Sequence, residues 1–160
     1  MKLIGKLENC AIYHGLNKAG KEVVQYIAKF AICADGMPKN TYGDPHWQSK
    51  TAYRHGGKYL NADKVPYVVV PSSIIAAVEP PVLGSECEVE NLSNKMVSDA
   101  ICGEVGPQHK LGEGSMELAR RLGLNPNPRH GGTEDHIIRF TIFVGESAVV
   151  DGVKYRLQPS

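Results

Sequence analysis

Strand-forming segments recur along this chain at short intervals, and only one stretch has sustained helical spacing. Residues 9–13 and 23–33 are rich in β-branched and aromatic side chains. The turn-like Gly15-Leu16-Asn17-Lys18-Ala19-Gly20 separates them, so the pair reads as a hairpin. Tyr67-Val68-Val69-Val70 lies between Pro66 and Pro71. A continuous apolar run of that length has no polar side for water and predicts a strand buried on both faces. Residues 86–90 alternate polar with apolar, 99–102 follow as a further strand, and 137–144 form the last strong one. A turn over 145–152 then leads to a terminal strand at 153–157.

The one main helix is expected over 115–122, where Met116, Leu118, Ala119 and Leu122 share a face and Gly123 supplies the stop. Single helical turns are expected at 51–53 and 72–77. Residues 36–57 read as a polar loop carrying Asp44, His46, Trp47 and His55. Many short strands and one main helix, with no internal repeat, predict a mainly β chain: a small β-barrel with long loops.

At 160 residues the chain is expected to form a single domain (1–160) with one continuous core. Its 42% apolar and 22% charged content excludes a disordered chain. A net charge of +1, without a basic run or basic-aromatic stripe, gives no support to a nucleic-acid partner. No apolar run approaches the roughly 20 residues that span a bilayer, so no membrane partner is expected. Residues 1–8 lack the apolar core of a signal peptide, since Glu8 interrupts them early. Synthesis in the cytoplasm is therefore expected, with any export by a non-classical route. Cys10, Cys33, Cys87 and Cys102 are irregularly spaced and form no CxxC pair. They read as small buried hydrophobes, with one or two disulfides as the alternative, and not as a zinc site.

The chemistry-bearing stretch is Gly103-Glu104-Val105-Gly106-Pro107 followed by Leu111-Gly112-Glu113-Gly114-Ser115. It sets Glu104 and Glu113 nine residues apart in what reads as a Gly- and Pro-rich turn just before the helix. Two carboxylates on rigid turns are the minimum equipment for acid/base hydrolysis, most typically of a glycosidic bond. Asp35 ends a strand before Gly36 and offers either a third carboxylate or a turn former. Asp44 in the polar loop is a weaker candidate of the same kind. One or two of Tyr42, Trp47 and Tyr53 could stack on a sugar ring; Trp47 equally reads as a buried loop anchor. His109 lies between the two glutamates, and His130 lies in Pro128-Arg129-His130-Gly131-Gly132. His46, His109 and His130 have no metal-ligand spacing on one element, so no metal or other cofactor is expected. Ser115 is better explained as a helix cap than as a nucleophile.

Three segments, in order, resemble the family 75 glycoside hydrolases, the chitosanases. They are residues 31–42, with Asp35-Gly36-Met37-Pro38 and Tyr42 after an early strand; residues 59–71, with the Pro66-Tyr67-Val68-Val69-Val70-Pro71 strand; and residues 100–107 with 111–115, carrying Glu104 and Glu113, and the helix after them. The resemblance covers about residues 30–145. It implies an inverting endo-glycosidase on a six-stranded double-psi-like barrel, acting on a glucosamine-containing polysaccharide. Glu113 would then be the general acid, with Glu104 or Asp35 positioning or activating water. Tyr42, Asp44, Trp47, His109 and His130 become candidate substrate contacts. To hold its proton, Glu113 needs an apolar wall or a neighbouring carboxylate, whereas the helix N-terminus beside it favours the anion.

One departure stands out: the family usually has Asp where this chain has Glu104. The balance of 18 basic and 17 acidic residues also lacks the acidic excess expected for a polycationic substrate such as chitosan. A peptidoglycan-degrading glycosidase of phage or secretion-system type is therefore an alternative. A relative with a disabled site, binding carbohydrate or protein, is another.

Overall fold

The structure is a computed structural model that describes residues 1–79 and 81–159. Its elements are β1 (Lys2–Leu7), β2 (Cys10–Leu16), β3 (Glu22–Cys33), β4 (Arg54–His55), β5 (Lys58–Tyr59), β6 (Tyr67–Pro71), α1 (Ser72–Ala77), β7 (Ser85–Asn91), β8 (Met96–Gly106), β9 (Glu113–Ser115), α2 (Met116–Arg121), β10 (Thr133–Val150) and β11 (Val153–Tyr155). Six strands close on themselves in the order β3-β9-β6-β8-β7-β10, with β10 pairing back to β3. The fold is the expected mainly β, six-stranded barrel with two short helices. Two neighbouring pairs, β3–β9 and β6–β8, run parallel, and the other four are antiparallel. The β1–β2 hairpin continues the sheet from β3, while β4 and β5 form a separate ribbon.

Alternation along the strands fills the barrel. Val24, Tyr26, Ala28 and Phe30 on β3 are buried, and they meet Ile138, Phe140 and Ile142 on β10. The rings of Tyr26 and Phe30 stack on Phe140 at 5.0 and 6.0 Å between centroids. All four cysteines are buried and free, which matches the reading as small buried hydrophobes and not the disulfide alternative. The β6 strand is buried at every position, Tyr67 to Pro71, in agreement with its uninterrupted apolar run.

Helix α2 is held by Ser115, which is wholly buried. Its Oγ accepts the Leu118 N–H at 3.2 Å and the Tyr67 N–H at 3.0 Å, and donates to the Val65 carbonyl at 2.7 Å. One hydroxyl thus caps the helix and fixes it to the start of β6. Glu117 in the first turn and Arg120 and Arg121 in the last complement the helix dipole. Helix α1 occupies the stretch read as a helical turn. Among the described residues no helix is long and apolar enough to cross a membrane.

Four local expectations are corrected. Residues 51–53 form no helical turn; they are loop, with Tyr53 buried and its hydroxyl donating to the Arg156 carbonyl at 2.8 Å. The expected 145–152 turn is mostly strand, because β10 runs on to Val150 and only Asp151 and Gly152 turn. Residues 2–7 form a strand that the sequence reading did not assign. Glu104 and Glu113 do not sit in a turn: they lie on β8 and β9, and the turn is the segment between those strands.

Candidate active site

The two glutamates are brought together by strand β6. Val69 pairs with Glu104 on the parallel β8 side and with Glu113 on the antiparallel β9 side. Glu113 in turn pairs with Ala31 of β3. The result is one row across four strands, Ala31–Glu113–Val69–Glu104, and all four residues line the same cleft.

A bulge aims Glu104 into this row. Val68 faces Cys102 and Val69 faces Glu104, so Gly103 is an extra residue on β8. Residues two apart on a regular strand point the same way; the inserted residue reverses Glu104 relative to the buried Cys102. Gly103 is also sterically required. A Cβ there would lie 2.5 Å from Leu60 Cδ1 and 2.9 Å from Tyr67 Cβ. Its carbonyl, freed from regular pairing, accepts the Tyr53 N–H at 3.1 Å. The 51–53 loop therefore docks on the bulge, and Ala52 N–H reaches Glu104 Oε1 at 2.9 Å. Val105 N–H reaches the same oxygen at 3.0 Å.

Asp35 stands two residues beyond β3. Its Oδ1 accepts Gln48 N–H at 2.9 Å, and its carbonyl accepts the buried Tyr67 hydroxyl at 2.8 Å. Asp35 and Glu104 are only 9% and 8% exposed, and their carboxyls hydrogen-bond to each other. Burial pushes Glu104 up to about 8; the neighbouring Asp35 adds to the rise, and the Ala52 and Val105 N–H groups oppose it. Glu104 therefore keeps a proton at neutral pH, in a buried position beside Asp35.

Glu113 is half-buried, and burial raises its pKa as well. Lys110 opposes that rise, Asp35 reinforces it, and Lys29 and His46 oppose it more weakly. Bare backbone at Gly106 leaves room beside it, since a Cβ there would come 3.8 Å from Glu113 Oε1. The cleft above these groups measures about 450 Å³ and is open to solvent along one side.

Of the residues singled out in the sequence, Asp35, Asp44, Glu104 and Glu113 all line this cleft. Asp44 also organises its own loop: its Oδ1 accepts His46 N–H at 2.9 Å, and Asn40 bonds its backbone on both sides. Trp47 packs against the core and donates from Nε1 to the Met37 carbonyl at 3.2 Å, which makes it the loop anchor. Tyr42, His109 and His130 are exposed and lie outside the cleft lining. Lining residues that sequence reasoning missed are Lys29, Gln48, Lys110, Arg129 and Glu134. Isolated charges in loops carry no pattern; the one available signal was the position of Lys110, three residues before Glu113. Among the described residues no three His, Cys, Asp or Glu side chains converge as a metal site.

A buried carboxyl pair and a further glutamate lining one open cleft are equipment for glycoside hydrolysis. The sequence profile of the fungal chitosanases of glycosyl hydrolase group 75 matches residues 30–158, and the chain belongs to that family. It is a glycoside hydrolase of chitosanase type, with a polysaccharide substrate. Comparison with curated proteins gives no match.

Proposed function

We propose that this chain cleaves a glucosamine-containing polysaccharide internally and with inversion, Glu113 protonating the leaving glycosidic oxygen. The Asp35–Glu104 pair lies on the other side of the bond and takes the proton of the attacking water. The supporting observation is the row of Glu113, Val69 and Glu104 across three adjacent strands. Two strand spacings separate the glutamate Cα atoms by about 9–10 Å. Their carboxyls, projecting from the same face, suit the roughly 6.5–9.5 Å that admits a water in inverting sites, whereas retaining sites need about 5 Å. Burial holds Glu113 toward its protonated form, as a donor requires. Asp35 Oδ1 accepts a single N–H, from Gln48, and keeps a second lone pair for the water. The family's substrate class supplies the glucosamine backbone.

The test is Glu113→Gln, which keeps the shape of the side chain and removes the transferable proton. Reducing-end release from chitosan is expected to fall by at least about 100-fold, the low end of general-acid contributions, with the melting temperature nearly unchanged. Retained cleavage in that variant removes Glu113 from the role. Release of product with retained anomeric configuration, read by NMR in the first minutes, rejects the inverting geometry.

A further inference from the structure

One buried side chain touches the supports of all three acidic residues. Tyr67 opens β6 and is wholly buried. Its N–H donates at 3.0 Å to the Oγ of Ser115, which stands two residues after Glu113 on β9. Its ring lies against the bulge that aims Glu104: Tyr67 Cβ and Cγ are 2.9 and 3.3 Å from the place a Cβ would take at Gly103. Its hydroxyl donates to the Asp35 carbonyl at 2.8 Å.

The hydroxyl contact is the informative one. Asp35 lies beyond the end of β3, where no strand pairing holds its backbone. Among the described residues the Tyr67 hydroxyl is the one donor to its carbonyl. The Cys33 thiol, 3.4 Å from that hydroxyl, accepts the Asp35 N–H. Core packing alone does not call for the hydroxyl, since phenylalanine fills the same space and burying a hydroxyl is unfavourable. With the donor removed, a buried carbonyl is left without a partner, and the Asp35 peptide gains by turning toward water in the cleft. The side chain then moves with its backbone, away from the Glu104 carboxyl that it now meets.

We propose that Tyr67 is a positioning residue for the hydrolysis, its ring and hydroxyl setting the separation between the Asp35 and Glu104 carboxyls. This rests on the reading of that pair as the group that activates water, and deepens it. Tyr67 is not part of the cleft lining, so it acts on turnover and not on substrate binding. The titratable groups around Glu104 are Asp35 from the end of β3, Cys102 from its own strand and Tyr67 from β6, with Glu113 lining the same cleft from β9. Of these, Asp35 is the one whose place depends on the hydroxyl. Asp35 adds to the rise of Glu104, so its withdrawal lowers the pH at which Glu104 gives up its proton.

The experiment compares the full chain with Tyr67→Phe, which keeps the ring, and with Tyr26→Phe as the control. Tyr26 is also buried, and its hydroxyl has no hydrogen-bond partner among the described residues. Chitosan turnover and the carboxyl-carbon NMR titration of labelled glutamates are measured on each, with the Glu104 signal assigned from Glu104→Gln. In Tyr67→Phe, kcat is expected to fall by about 10- to 100-fold, with KM within about twofold of wild type. The Glu104 midpoint is expected to move down from about 8 by roughly one pH unit. Tyr26→Phe should leave kcat, KM and the midpoint unchanged. An unmoved midpoint in Tyr67→Phe overturns the proposal, whatever the melting temperature does. So does a loss of turnover carried by KM with kcat intact. A lowered midpoint in a chain whose wild type releases no sugar upholds the positioning and rejects the catalytic reading. Wild-type release, with kcat and midpoint unmoved by the substitution, does the reverse. If Tyr67→Phe does not fold, the wild-type hydroxyl proton decides. A slowly exchanging signal whose shift follows the Glu104 titration upholds the proposal, and one that exchanges freely with water or ignores that titration overturns it.

Discussion

Replacing Glu104 with Gln is expected to make the protein more stable at alkaline pH and far less active. The folded state holds the Glu104 proton up to about pH 8, against an ordinary 4.5 for the free side chain. Between those values the folded state binds more protons than the unfolded one, so stability falls as pH rises. The stabilisation is complete below about 4.5 and is lost through about 8. Each pH unit inside the window removes at most about 1.4 kcal/mol. Since Glu104 is 8% exposed, solvent screening takes little from this. The loss between pH 5 and pH 8 is on the order of 3 kcal/mol.

Glutamine reproduces the protonated glutamate. Its Oε1 accepts the Ala52 and Val105 N–H groups that Glu104 now engages at 2.9 and 3.0 Å, and its amide donates to Asp35 as the proton does. It has nothing to lose with rising pH. Urea unfolding of both proteins at pH 5, 6.5 and 8 therefore gives nearly equal stability at pH 5 and a variant advantage on the order of 2–3 kcal/mol at pH 8. For a chain of this length that corresponds to roughly 5–10 °C in Tm. Glu86 is also pushed up, to about 7, chiefly by burial, but it is present in both proteins and cancels in the difference. Reducing-end release should drop at least about 100-fold, since the pair can no longer pass a proton. Parallel stability curves across the pH series would refute a protonated Glu104 in the folded state, as would a variant weakened equally at every pH.

Two further substitutions test the scaffold. Ser115→Ala strands the Tyr67 N–H and Val65 carbonyl and uncaps α2, so a loss of about 2–4 kcal/mol is expected in urea unfolding; a change under about 0.5 kcal/mol contradicts the hydroxyl's triple role. Gly103→Ala forces a Cβ against Leu60 and Tyr67, for a loss of about 1–3 kcal/mol, and shifts the bulge enough to lower activity about 100-fold. Gly5→Ala, whose Cβ would meet nothing within 4 Å, is the control and should leave sugar release unchanged.

Periodicity made the barrel's longer strands legible. Val24, Tyr26, Ala28 and Phe30 alternate into the core, and Tyr67–Val70 has no polar face at all. The partners of each strand were not legible, because closure of β3 against β10 joins segments more than a hundred residues apart. The short β9 strand has the sequence Glu-Gly-Ser, which carries no strand signal; it is extended because β3 and β6 flank it on both edges. Asp35, Glu104 and Glu113 could be named from carboxylate chemistry and the family's motifs. Their convergence depends on a bulge at Gly103, and a glycine between Cys102 and Glu104 reads equally as a turn residue. Trp47 left both roles open, and the Met37 carbonyl that binds its indole is ten residues away along an irregular loop.

The length of the acidic side chain at position 104 has a physical reason in this setting. An aspartate at 104 would withdraw the carboxyl by about one carbon–carbon bond, roughly 1.5 Å. Ala52 N–H, now at 2.9 Å, would fall out of hydrogen-bonding range unless the loop moved inward. That loop is not free to move. Tyr53 is tied to the Gly103 carbonyl and to Arg156, and Gln48 N–H is fixed on Asp35. The same side chain must meet Asp35 on the far side, so its length is set by the span between a docked loop and a strand end. Glutamate bridges that span with one oxygen on the backbone amides of Ala52 and Val105 and the other free for Asp35. A glutamate at 104 is therefore matched to the loop of this chain, and its length keeps the carboxyl pair in contact.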